Sequence, residues 1–256
     1  MRLYIETRVR AELDELWART QDPAEHQRWD LRFTEIRHLP RAGGEDEPRH
    51  FRYATRVLPF LTIAGTGVSA GEKERPDGTR TSALRFSCPH PLSLLADGSG
   101  YWRYLPDGTG EEDEGGGGVR FLTGYDYRPR WGAVGALADR LVLRPLMGWA
   151  TAWSFDRLRI WLEHDVTPER ARRNWLTELA LRTAVITAAG TALALRPAAL
   201  LGPAGAFLSP LLLVAAIAAA LLAPPLPRTP AARRCLRTPP DPVRPPRLLR
   251  TLETPR

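Results

Sequence analysis

The chain has 256 residues, 43% of them hydrophobic, and a formal net charge of +7 at pH 7. That length allows one packed domain plus an appendage. The charge is unevenly placed: residues 1–165 hold 23 basic side chains against 25 carboxylates, and residues 166–256 hold 13 against 4. A phosphate-binding groove in the first part is therefore excluded, no nucleic-acid partner is expected, and the basic excess lies beside the most apolar stretch, where it suits a membrane surface.

Residues 2–10 alternate Leu3, Ile5, Thr7 and Val9 against charged neighbours, the pattern of a half-buried strand. Leu13, Leu16 and Trp17 share a helical face, and Asp22-Pro23 has the N-cap and first-turn chemistry of a second short helix ending at Trp29. Strands are expected near 31–39, 49–57, 62–73, 79–87, 98–106 and 118–128. Turn chemistry lies between them at Ala42-Gly43-Gly44, Leu58-Pro59, Pro76-Asp77-Gly78, Pro89-His90-Pro91, Asp97-Gly98 and Pro106-Asp107-Gly108. Gly65 and Gly67 inside a strand suggest a bulge or sharp bend. The acidic, glycine-rich segment 110–117 is expected to be a mobile loop.

From Trp131 to Asp165 apolar residues recur at helical spacing around Pro145, giving a long helix kinked or interrupted at that proline. Beyond Thr167-Pro168 the chain becomes greasy: 183–195 and 197–227 are uncharged apart from their borders. A bilayer core of about 30 Å needs ~20 helical residues. Residues 175–223 are therefore expected to form a membrane hairpin, with Glu178 and Arg182 snorkelling at the interface. Arginines flank both ends of 166–227 and only Arg196 lies in the connection, so the positive-inside bias favours two spans over one. The Arg/Pro-rich tail 228–256 reads as disordered, able to lie on anionic lipid or to offer a ligand to a protein partner.

The order strand, two short helices, six strands, long helix, together with Trp29-Asp30, FLTGYDYRPRWG at 121–132 and DRLVLRPLMGWATAWSFDRLRIWLE at 139–163, resembles a bacterial subgroup of the SRPBCC (START/polyketide-cyclase-like) superfamily with a C-terminal membrane segment. The resemblance covers roughly residues 1–165. It implies an α+β helix-grip fold, a seven-stranded curved antiparallel sheet around a long C-terminal helix, followed here by a transmembrane helical hairpin. It implies also a space between sheet and helix. Strand alternation and helical spacing place Trp29, Tyr53, Phe86, Trp102, Tyr104, Phe121, Tyr125, Trp149 and Trp153 as its expected ligand-binding lining.

Two cysteines without metal-ligand spacing, Cys88 and Cys235, five scattered histidines, and no phosphate loop or nucleophile elbow leave no metal, cofactor or catalytic set in view. Asp126, Arg103, Arg144, Asp156 and Arg157 are the polar residues that could enter the space; the favoured reading of an Arg–Asp pair among them is a structural one, holding the kinked helix to the sheet. The N-terminus has no apolar core of a signal peptide, so the first domain and the tail are placed in the cytoplasm at the cell membrane. The function expected is a membrane-tethered module holding an apolar small molecule or lipid; the alternative is a cyclase- or aromatase-like enzyme.

Overall fold

The structure is a computed structural model and describes residues 3–40, 48–70, 74–107, 118–195, 202–240 and 243–255. The expected loop at 110–117, the Ala42-Gly43-Gly44 turn and Arg196 lie outside the described residues. Seven strands follow one another, β1 (Leu3–Val9), β2 (Glu35–His38), β3 (Arg49–Leu58), β4 (Leu61–Ala70), β5 (Arg80–Ser87), β6 (Leu95–Pro106) and β7 (Val119–Pro129). They form one antiparallel sheet in the order β1-β7-β6-β5-β4-β3-β2. Between β1 and β2 lie α1 (Leu13–Gln21) and α2 (Pro23–Trp29). Asp22 caps α2 by accepting the Ala24 N–H at 2.8 Å, as its sequence suggested.

After β7 the chain enters α3 (Gly132–Ala138), one turn of π-helix at Asp139–Leu143, and α4 (Arg144–His164). Pro145 has no N–H to donate, and the wider turn just before it accommodates that loss without ending the helix. The turn is fixed from the sheet: the Tyr127 hydroxyl donates to buried Asp139 at 2.6 Å, and Arg144 pairs with the same carboxylate. Arg144 thus holds the helix start rather than entering a pocket.

Register separates the two faces of the sheet. Phe121, Tyr104, Trp102 and Ile5 point one way, and Phe155 of α4 stacks on Phe121 with ring centroids 4.4 Å apart. Of the bulge or sharp bend expected at Gly65 and Gly67, the bulge is absent, since pairing with β3 runs in register through both. Register shifts fall instead at Arg56/Leu58 and Leu95/Asp97. The glycines serve a different purpose: a Cβ on Gly65 would sit 2.4 Å from the Tyr53 hydroxyl, and one on Gly67 2.1 Å from the Phe51 ring. Rings from β3 therefore lie flat across β4, which only glycine permits.

The opposite face carries Tyr4, Val68, Ala70, Ala83, Tyr101 and Leu122, and the C-terminal tail covers it with Leu249 and Leu252. This corrects the expectation of a disordered tail. Residues 231–256 belong to the same compact unit as 1–168. The anchor is Asp156, a buried carboxylate on α4 that accepts from Ala231 N at 2.7 Å, Arg234 at 2.9 Å and Arg159 at 2.8 Å. Cys235 then donates to Ala152 O, and Leu236 exchanges two backbone hydrogen bonds with Glu6 on edge strand β1. Arg85 donates to Leu249 O, and Arg103 to Arg244 O at 3.1 Å. Asp156 and Arg103, which could have entered a pocket, are fasteners for the tail; Asp126 is exposed, and Arg157 donates to Pro168 O at 2.8 Å.

Residues 169–230 form a second unit, built from α5 (Pro168–Ala194) and α6 (Gly202–Leu222). Arg182 does not snorkel alone: it pairs with Glu178 and donates to the Ala223 carbonyl at 3.1 Å, while Glu178 accepts the Leu226 N–H at 3.2 Å. The pair thus closes the C-terminal end of α6. Among the described residues, no helix is long and apolar enough to cross a membrane; the side chains of residue 193 in α5 and of residues 202–209 and 212 in α6 lie outside that description.

Replacing Asp156 by alanine should leave Arg234 and the Ala231 N–H without their buried acceptor. We expect a loss of about 3 kcal/mol and faster tryptic cleavage at Arg237, Arg247 and Arg250 than in the wild-type chain; chemical denaturation and limited proteolysis check both.

Candidate functional site

The inner face of the sheet is lined by a train of rings. Trp17 and Tyr104 are 4.9 Å apart, Tyr104 stacks on Phe121 at 4.9 Å, and Phe121 stacks on Phe155. Phe155 meets Trp29, and Trp29 meets Trp102. The end around Tyr104 is closed: its hydroxyl lies 2.7 Å from Thr20 Oγ1 and accepts from Gln21 at 3.0 Å. Trp29, fully buried, donates its indole N–H to Arg19 O at 2.9 Å. Of the nine residues expected to line a space, Trp29, Tyr104, Phe121 and Trp153 are packed as core. Trp102 and Tyr125 are buried beside them, and Tyr53, Phe86 and Trp149 are half-buried.

A polar group sits among these rings. The segment between α2 and β2 turns at 30–34 instead of continuing the strand, held by Leu31 N–H to Ser154 Oγ at 2.8 Å and Thr55 Oγ1 to Arg32 O at 2.6 Å. The turn points Asp30 and Arg32 inward, where Arg32 grips Asp30 through Nε at 3.0 Å and Nη2 at 2.6 Å. Both are almost completely buried. The Arg32 guanidinium lies over the Tyr125 ring at 4.9 Å and the Phe33 ring at 5.3 Å. His26 reaches the other side of the carboxylate, Nε2 to Oδ2 at 3.1 Å, and stacks on Trp29.

Charge states follow from this packing. Burial alone would raise the Asp30 carboxyl, but Arg32 outweighs it, aided by His26, and holds it well below the usual range. Burial would lower the Arg32 guanidinium; Asp30 reverses that and fixes the charge. For His26 burial prevails over the hydrogen bond that the ring makes to Asp30 and lowers its pKa from 6.5, so the ring is neutral at pH 7. The site is thus a bidentate ion pair with a neutral imidazole beside it.

Open chemistry remains on the flank toward β3 and β4. Phe33 and Tyr53 meet edge to face at 5.7 Å, Tyr53 and Phe86 at 6.3 Å, and all three rings are half-buried. The buried Trp102 indole N–H has no hydrogen-bond acceptor among the described residues. Sequence periodicity found the rings but missed His26, Asp30, Arg32 and Phe33. Asp30 and Arg32 are two residues apart, a spacing that puts both on one side of an extended chain, and that was the available signal. No group of three or more metal-ligating side chains occurs among the described residues.

No family model matches the chain. It is 42% identical over 172 residues to the uncharacterized membrane protein YndG of Bacillus subtilis (strain 168), a match covering 67% of this chain and 61% of that protein. The match therefore spans about three fifths of the relative's length. Among solved structures it is similar to a STAR-related lipid transfer protein fragment from Xanthomonas axonopodis, at 18% identity, TM-score 0.45, and 64% and 86% of the two chains. It is similar also to the di-domain ARO/CYC BexL of the BE-7585A biosynthetic pathway, at 18% identity, TM-score 0.35, and 57% and 43% coverage. At such scores these two likenesses assign no function.

Proposed function

We propose that the unit formed by 1–168 and 231–256 is a helix-grip domain of the START-like kind that binds an apolar small molecule bearing a polar end. Its rings hold the apolar body and the Asp30–Arg32 pair holds the end. The observation that carries this reading is a buried, bidentate ion pair among otherwise aromatic side chains. A pair there is a poor way to gain stability, since apolar residues of like volume do as well or better. It does supply oriented donors and acceptors to a ligand excluded from water. The half-buried rings of Phe33, Tyr53 and Phe86 beside it, and the unaccepted Trp102 N–H, are the contacts such a ligand would complete.

The second unit is the tether in this reading: α5 and α6 form a membrane hairpin. Leu181, Val185, Leu211, Val214 and Leu221 are exposed on them, which water disfavours and lipid does not. The chain leaves the first unit at Pro168 and rejoins it at Ala231, so it crosses a bilayer an even number of times. The B. subtilis relative's description as a membrane protein agrees with this. A cyclase-like reaction is the second reading, favoured by the neutral His26 held by Asp30, a pair able to accept a proton from substrate.

Three outcomes test the site. Full-length protein in nanodiscs, analysed by native mass spectrometry, should retain an apolar molecule; a wild type that carries none, and whose thermal midpoint no apolar compound raises, contradicts the binding reading. Arg32→Met should cost about 3 kcal/mol by stranding Asp30, and Asp30→Leu/Arg32→Met should recover most of that while losing the bound molecule. Recovery with the molecule still bound makes the pair structural only. The third outcome is pH-dependent. His26 is neutral when folded and takes up a proton more readily when unfolded, so stability should fall as pH drops below about 6.5. Asp30, whose pKa is lowered, adds its own loss below its unfolded value of 3.8. His26→Gln should remove the first decline and keep the second, as read by denaturation at a series of pH values from above the first limit to below the second.

A further inference from the structure

Antiparallel order puts the ends of β3, β5 and β7 at one edge of the sheet, and this edge is unusually apolar. The β3–β4 hairpin overhangs it: Leu61 to Gly65 have no partner on β5, an extension of about 16 Å at the strand rise per residue. Phe60 at its tip is 85% exposed. The β5–β6 loop is tied to the start of α3 by Arg130, whose N–H donates to Leu94 O at 2.7 Å and whose guanidinium donates to Cys88 O, and it exposes Leu92. The helical segment that follows turns Trp131 outward, with Val134 73% and Leu141 64% exposed. Water gains nothing from covering such surface, and solitary domains rarely display so much of it at one edge.

Charge at this edge is mainly positive. Residues 56–62, 88–96 and 128–146 carry five arginines and a single carboxylate, Asp139, which is buried against Tyr127 and Arg144. Arg128 is paired with Asp97, while Arg56 and Arg140 are exposed. Tryptophan and leucine projecting from a collar of arginines match an anionic bilayer interface, where the rings enter the acyl boundary and the guanidinium groups meet lipid phosphate.

We propose that this edge, formed by the β3–β4 tip, the β5–β6 loop and the α3–π-helix segment, docks on the surface of an anionic lipid bilayer. The interaction is separate from the hairpin of residues 169–230, since every residue involved belongs to the first unit. It adds to the binding reading a side on which the domain meets lipid, and it requires neither a bound molecule nor a span.

Single spin labels on cysteines introduced into the full chain decide it: Phe60→Cys and Leu137→Cys at the edge, Asp126→Cys on the outer face of the sheet, and Ala215→Cys in α6. The native cysteines are buried, and burial pushes the Cys235 thiol up to about 12, so neither competes for label. The protein is placed with vesicles of phosphatidylcholine and phosphatidylglycerol in equal parts. Labels at 60 and 137 should collide with lipid-dissolved oxygen several-fold more often than the label at 126, and be shielded from a water-soluble relaxant. Arg56→Glu/Arg140→Glu should move them toward water. Labels at 60 and 137 as wet as the one at 126 overturn the proposal, and labels shielded from both relaxants overturn it in favour of a protein partner. The label at 215 reports the hairpin alone, so a failed tether and a failed docking edge give different patterns.

Discussion

The structure depends on the return of the chain to the domain it has left. Asp156 is buried on the helix that covers the sheet, and its carboxylate is satisfied by a backbone N–H and an arginine lying more than seventy residues downstream. A buried carboxylate without those donors would be costly, so α4 and the tail stabilise each other. With the tail in place, Leu236 protects edge strand β1 and Leu249 and Leu252 cover the outer face of the sheet. Both faces of the sheet are then occupied by the chain itself. The inner flank near Phe33 and Tyr53 and the sheet edge near Phe60 keep apolar surface in contact with solvent.

This arrangement explains how small and large residues are divided across the sheet. Glycines on β4 and β6 receive rings from β3, β5 and β7, which lie flat rather than stand upright. Flat rings take little height and leave room above them on the inner face. At the Tyr104 end that room is taken by Phe155 and the α1 residues; near Arg32 it is taken by charge. The same packing that closes one end of the inner face therefore sets an ion pair at its centre, with the half-buried rings beyond it.

Much of this was legible in the sequence. Two-residue alternation located all seven strands, and Asp22-Pro23 marked the start of α2, because those signals are local. β2 came out shorter than expected because 30–34 is spent on a turn whose anchors, Ser154 and Thr55, are distant in sequence. The tail was misread for a related reason. Proline and arginine dominate its composition, and Leu248, Leu249 and Leu252 are too short a run for their helical spacing to stand out. Their order comes from the sheet they cover. Arg32 fell inside the expected strand 31–39 and Asp30 just before it, and neither was given a role in the site, since only the rings packed around them make their burial evident.

If α5 and α6 span a bilayer, a domain assembled from both ends of the chain requires those ends to lie on one side of it. The direct measurement places one epitope before residue 1 and another after residue 256 of the membrane-inserted full chain, and reads each with an impermeant antibody in sealed vesicles of known orientation. The account requires the two epitopes to be accessible together and protected together. An epitope at one end exposed while the other is sealed inside would separate the tail from α4 and contradict it.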